Sequence, residues 1–169
     1  MEVIDDYLSG DVFSELQGRM LSQDICWHFV PFTDGDSKNN NQFFFGHNIY
    51  INHSWVSGLS KVCEPLIARI NPMAIHMIRA NLMTKSDRHI ESELHSDLDI
   101  NAPTRDRIDQ WTTAVFYIND CNGYTKFEDN HQVESKANRL VAFPSNVRHL
   151  GATCTDEKRR VLINLNYIT

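Results

Sequence analysis

The 169-residue sequence has no C-x-x-C pair, its 4 cysteines (Cys26, Cys63, Cys121 and Cys154) being widely scattered. That spacing argues against a disulfide framework and suits reduced thiols filling a core in a reducing compartment. The start Met1-Glu2-Val3-Ile4-Asp5-Asp6 lacks the basic-then-apolar pattern of a secretory signal, so a cytoplasmic location is expected. No apolar run approaches the ~18 residues of a membrane helix, and no membrane partner is expected. Positive charge is also short: 16 Lys and Arg stand against 22 Asp and Glu, a net charge of −6. With no overall positive field to release counterions from phosphates, nucleic acid is not an expected partner. Internal repeats and linkers are absent too, so residues 1–169 are expected to form a single domain, 1–72 a helical support region with outer strands and 74–169 the core.

What is present is patterned. Val12, Phe13, Leu16 and Met20 follow Ser9-Gly10-Asp11 at helical spacing and predict a helix over 11–22. A strand is predicted over 26–30, a polar surface loop over 34–41 and an extended segment over 42–51. Ser54 is placed to cap a second helix carrying Trp55, Leu59, Val62, Leu66 and Ile70 on one stripe, with Pro65 expected to kink or restart it. Short strand-like runs follow over 74–83, 92–100, 111–119, 124–128, 139–143, 147–152 and 160–168, separated by turn signals such as Asn119-Asp120-Cys121-Asn122-Gly123. Helices first and many short strands afterwards predict an α+β, mainly β fold: a jelly roll with its N-terminal helices on the larger sheet.

His95-Ser96-Asp97, the later His149 and the pair Arg159-Arg160 carry the chemistry. Two imidazoles and a carboxylate can occupy one face of a divalent iron and leave three positions open. An arginine beyond the second histidine could hold a dicarboxylate against that metal. The tripeptide alone decides little, since this composition produces about one His-x-Asp/Glu match by chance, and His89-Ile90-Glu91 fits equally well on spacing. In the last strand Arg160, Leu162, Asn164 and Asn166 alternate with apolar Val161, Ile163, Leu165 and Tyr167. This puts Arg160 on the wet face and Arg159 pointing away.

In order, the chain carries His95-x-Asp97, Ala114-Val115-Phe116-Tyr117-Ile118-Asn119, Gly123-Tyr124-Thr125-Lys126-Phe127, Asn138-Arg139-Leu140-Val141-Ala142-Phe143-Pro144, His149, and an arginine leading the terminal strand. This ordered set resembles the catalytic core of the 2-oxoglutarate and Fe(II)-dependent dioxygenases, most closely the prolyl hydroxylase branch. The resemblance implies a double-stranded β-helix in which His95, Asp97 and His149, not His89 and Glu91, hold Fe(II). It implies that Tyr117 and Arg160 hold the distal carboxylate of 2-oxoglutarate, with O2 as oxidant and ascorbate as the expected reductant. It further implies hydroxylation of an unactivated C–H bond with release of succinate and CO2, a prolyl residue of a protein or peptide being the leading substrate. A free amino acid or other small molecule is the alternative, and a non-catalytic cupin-like metal-binding module the rival of another class. The sequence departs from the family at Arg79-Ala80-Asn81, where many prolyl hydroxylases carry an aromatic contact, and at Asn164 and Asn166, where Thr and Trp are frequent. Arg79, Asn81, Asn164 and Asn166 are therefore the candidate substrate contacts, and the charged segment 98–110 a candidate lid. Nothing in the sequence bears on the oligomeric state.

Overall fold

The computed structural model describes residues 1–31, 43–98 and 110–169. The loop expected at 34–41 lies outside the described residues, as does the lid expected at 98–110 apart from its two ends. Strand β1 (Glu2–Ile4) leads into helix α1 (Gly10–Met20), which buries Phe13, Leu16 and Met20 on one side. Ser9 keeps an extended backbone, and its carbonyl accepts the N–H of Phe13, starting the ladder. Strands β2 (His28–Val30) and β3 (Phe44–Ile51) follow, and β3 turns back into a two-residue strand β4 (Ser54–Trp55).

This hairpin corrects the expected helix start. Asn52 and His53 both have positive φ, 53° and 59°, the signature of a tight two-residue turn, and Trp55 packs edge-on against Tyr50 at 4.9 Å instead of joining a helix. Helix α2 begins later, at Ser60, and runs to Ile70, with the Ser57 hydroxyl accepting the N–H of Leu59 at 3.1 Å. It passes through Pro65 without a break, because Cys63 and Leu66 on either side are fully buried and anchor it. Its end is set by Asn71 in the left-handed region, donating its N–H to Ile67 O at 2.8 Å.

The remaining strands are β5 (Ala74–Thr84), β6 (Thr112–Tyr117), β7 (Cys121–Phe127), β8 (Gln132–Ser135), β9 (Leu140–Pro144), β10 (His149–Gly151) and β11 (Arg159–Ile168). An eight-stranded sheet runs in the order β1-β9-β6-β11-β5-β3-β2, with β4 on β3; a three-stranded sheet runs β10-β7-β8. The pairings are antiparallel throughout. Over its described residues, 92–98, the expected strand is not one: it makes the isolated bridge His95 to His149, next to that of Glu91 to Ala152. Strand β7 begins inside the expected 119–123 turn, with a register irregularity between Cys121 and Tyr124.

Alternation along the central strands divides the interior in two. Ile78, Ala80 and Leu82 of β5, Ala114 and Phe116 of β6, and Val161, Ile163 and Leu165 of β11 face α1 and α2 in the main core. Phe116 sits edge-on to Tyr7 and Phe13, at 6.2 and 6.0 Å. Val115, Tyr117 and Leu162 face the other way, meeting Phe127, Val133, Val141 and Phe143 between the sheets. The helices thus cover the outer face of the larger sheet, as expected, and the inner face is left to the site. The architecture is the jelly roll that the sequence predicted.

Candidate active site

A cleft of about 140 Å³ opens on the inner face, and His95, Asp97 and His149 line one part of it. The two histidines are directly opposed across an antiparallel bridge: His95 donates its N–H to His149 O at 2.9 Å and receives the reverse bond at 2.8 Å. Opposed residues point to the same side, and the rings stand 4.8 Å apart. Each Nδ1 faces a carbonyl two residues earlier, Glu93 O at 2.9 Å and Val147 O at 3.2 Å. Donation there puts the proton on Nδ1 and leaves the Nε2 lone pair facing the cleft, the tautomer a metal ligand needs. Phe143 packs edge-on against the His149 ring at 4.7 Å.

Asp97 turns its two oxygens to different tasks. Oδ1 lies 3.8 Å from His95 Nε2 and 3.6 Å from His149 Nε2. Oδ2 accepts an N–H from Asn164 at 3.2 Å and from Asn166 at 2.9 Å. Burial pushes this carboxyl up, but with no metal bound the protonated forms of His149 and His95, together with the amides of Asn166 and Asn164, hold it below the ordinary carboxylate value. One ligand atom from each of His95, Asp97 and His149 lies within 4.8 Å of the others. Two neutral imidazole nitrogens and one carboxylate oxygen form the donor set that suits a divalent first-row metal such as Fe(II). His89 and Glu91 are not in this group. His89 Nδ1 lies 2.8 Å from Thr153 O, and Glu91 is engaged by Tyr124 at 2.7 Å and Lys126 at 3.2 Å.

The second polar feature of the cleft is Arg160, 0 % exposed. Its guanidinium donates to Ser135 Oγ at 3.1 Å, Ala152 O at 3.3 Å and Thr125 Oγ1 at 3.1 Å, and lies 5.4 Å from the centre of the Tyr117 ring. Among the described residues no carboxylate pairs with it. Tyr117 donates its hydroxyl to the same Thr125 oxygen at 2.8 Å and does not itself line the cleft. Burial raises its phenol above the ordinary value despite Arg160. Thr125, inside the Gly-Tyr-Thr-Lys-Phe run but not singled out by sequence reasoning, lines the cleft between them. Its signal was alternation: Gly123, Thr125 and Phe127 share one face of β7. Arg159 points elsewhere, donating to Leu21 O at 2.7 Å.

The substrate candidates separate. Arg79, Asn81 and Asn164 line the cleft, and Arg79 Nε donates to Asn81 Oδ1 at 2.9 Å. Asn166 is 0 % exposed and is not among the lining residues; its amide spans Asp97 and Thr113 Oγ1, each at 2.9 Å. The carbonyl oxygens of Asn164 and Asn166 are buried without a partner among the described residues, at a typical cost of about 1–3 kcal/mol each.

The fold is shared with solved oxygenases at low sequence identity. The similar structures include a prolyl-4-hydroxylase from Pseudomonas putida, 14% identical, covering 99% of this chain and 90% of that one with a TM-score of 0.66. A prolyl hydroxylase from Trichoplax adhaerens, solved in complex with a peptide fragment of the hypoxia inducible factor oxygen degradation domain, is 19% identical over 99% of this chain and 82% of that one, TM-score 0.62. The non-heme α-ketoglutarate-dependent epimerase SnoN of nogalamycin biosynthesis is 14% identical over 98% and 75%, TM-score 0.65. No protein-family model and no curated protein matches the sequence. Among the described residues no helix is long and apolar enough to cross a membrane.

Proposed function

We propose that the protein is an Fe(II)- and 2-oxoglutarate-dependent oxygenase that hydroxylates an unactivated C–H bond, with a prolyl residue of a protein or peptide as leading substrate. The observation that carries this reading is Arg160: a guanidinium 0 % exposed, without a carboxylate partner among the described residues, in the same cleft as a His-Asp-His cluster. A buried charge is costly without a counterion, and a dicarboxylate reaching from the metal to Arg160 would provide one. A metal-binding module without turnover needs the cluster but not that cation.

In this reading His95, Asp97 and His149 hold ferrous iron on one face. Bound there, the iron supplies dioxygen activation coupled to the conversion of 2-oxoglutarate to succinate and CO2. The Arg160 fork and the Thr125 hydroxyl receive the distal carboxylate, and Tyr117 orients that hydroxyl from beneath. Val115 and Leu162 line the cleft and keep water from the reacting atoms. Arg79 and Asn81, joined on one wall, and Asn164 are the candidate contacts for the substrate. Their polarity favours a second substrate reading, a free amino acid or another polar small molecule.

The test is aerobic incubation with Fe(II), ascorbate and labelled 2-oxoglutarate, with and without a panel of prolyl peptides and free amino acids. Iron-dependent succinate is expected even without substrate, with stimulation by one class of the panel. No succinate under any condition would leave the metal-binding module as the reading.

A further inference from the structure

Asn164 and Asn166 lie two apart on β11, and both carboxamides converge on a single oxygen of Asp97, Oδ2, at 3.2 and 2.9 Å. The amide orientation is fixed by charge: turned over, each would set its carbonyl oxygen against the carboxylate. Asn166 spends its second N–H on Thr113 Oγ1 at 2.9 Å, and Thr113 in turn donates to Ser145 Oγ at 2.9 Å. Thr113, Ser145 and Asn166 are all 0 % exposed and Asn164 7 %. The clamp is therefore anchored in β6, β11 and the end of β9. Both carbonyl oxygens go without a partner among the described residues, so each carboxamide is present for what its N–H groups do. An apolar side chain of the same size would avoid the orphaned oxygen.

We infer that Asn164 and Asn166 are positioning residues that hold Asp97 as a one-oxygen metal ligand, keeping its second oxygen out of the coordination sphere. The inference rests on the oxygenase reading above. Oδ1 alone faces the two histidine Nε2 atoms, and Oδ2 is turned to the amides. A six-coordinate metal with three protein donor atoms keeps three positions, two for a chelating 2-oxo acid and one for dioxygen. A carboxylate free to rotate would bind through both oxygens and take one of the three. The pair thus protects the position that the 2-oxo acid needs, which the histidines cannot do.

Two affinities separate this role from an ordinary structural one, both read by titration calorimetry without turnover: Mn(II) for the protein, then 2-oxoglutarate for the Mn(II)-loaded protein. Asn166→Leu is expected to leave Mn(II) binding within about threefold and to weaken 2-oxoglutarate about tenfold or more. Asn164→Leu, which removes the longer bond and leaves the Thr113 anchor intact, should weaken 2-oxoglutarate about fivefold with Mn(II) binding within about twofold, and it decides the matter alone if Asn166→Leu fails to fold. The visible absorption of the Co(II)-substituted protein should also change in Asn166→Leu, reporting an altered ligand set. A parallel fall of both affinities, the usual result of loosening a ligand's support, would overturn the inference, as would unchanged 2-oxoglutarate binding. Wild-type protein that binds neither probe would instead overturn the oxygenase reading on which it rests.

Discussion

A side chain at Gly123 would collide with Arg160: a Cβ there falls 2.7 Å from Arg160 Cδ, 3.1 Å from Ala152 O and 3.3 Å from Cys154 N. The glycine lies within the irregular stretch of β7 between Cys121 and Tyr124. It is the missing Cβ that lets the guanidinium stem lie flat across the strand and reach Ser135 and Thr125. Gly123→Ala is expected to displace the guanidinium by a fraction of an ångström and weaken 2-oxoglutarate binding about tenfold. Metal binding should be unchanged, because the His-Asp-His cluster is built on other elements. Titration of the Mn(II)-loaded variant checks this, and unaltered 2-oxoglutarate affinity would show that the stem has slack.

Two His-x-acid tripeptides compete in the sequence, and the structure gives them different surroundings. His95→Ala removes one of the three converging ligand atoms and should abolish stoichiometric Fe(II) or Mn(II) binding at micromolar metal. His89 lies against Tyr124, rings 5.3 Å apart, and Glu91 is held by Tyr124 and Lys126. His89→Ala should therefore bind metal as the wild type does. Metal content after desalting measures both, and loss of metal in His89→Ala with retention in His95→Ala would reverse the assignment.

Much of this was legible because strand alternation is a strong rule. The two faces of β11, and with them the inward Arg160 and outward Arg159, follow from the pattern of Val161, Ile163 and Leu165 against Asn164 and Asn166. The helix boundaries were less legible where tertiary and turn effects dominate. Ser54 reads as a cap, yet Asn52 and His53 adopt positive φ and fold it into a hairpin, and Pro65 is carried by the burial of its neighbours. Strands β1 and β8, of three and four residues, carry too few side chains to show a period. At the site, sequence gave residue types but not distances, so Asn166 read as a substrate contact when its amide is spent on Asp97 and Thr113.

The N-terminus is tied to the larger sheet by charge. Asp5 accepts Arg139 Nε at 2.6 Å and Nη2 at 3.1 Å, and Lys136 Nζ at 2.8 Å. Arg139 first and Lys136 second hold its carboxyl well below the usual carboxylate range. A depressed folded-state pKa contributes stability above the unfolded value, about 4, and loses it as the pH falls through the window below. The group is 38% exposed, so solvent screening keeps the contribution below ~1 kcal/mol. Asp5→Asn should lower the melting temperature by about 2 °C near neutral pH, with the gap closing below about pH 4. A gap that stays constant through acid would mean that the ion pairs contribute nothing.

In the proposed function, Arg160 sets stability against co-substrate binding. Its three hydrogen bonds to oxygen, a longer one to the Met83 sulfur and the Tyr117 ring offset part of the cost of burying the cation, but no carboxylate among the described residues completes the pair. Arg160→Met keeps the stem's length, removes the buried charge and leaves three acceptors short of a donor. The opposing effects should leave the ligand-free melting temperature within a few degrees of wild type. The ligand increment should differ sharply. At about 100 times the dissociation constant, 2-oxoglutarate stabilises by ~2.7 kcal/mol, which for a chain of this size is a rise of about 5–10 °C. In Mn(II)-loaded Arg160→Met, at the same concentration, the rise should fall to about a degree, since a hundredfold weaker site leaves only ~0.4 kcal/mol. Arg159→Met, which loses a bond to Leu21 O on the opposite side of the sheet, should keep the full increment. Thermal melts of the three proteins with and without 2-oxoglutarate settle it: an increment retained in Arg160→Met and lost in Arg159→Met would mean that the terminal strand is set one residue out of register.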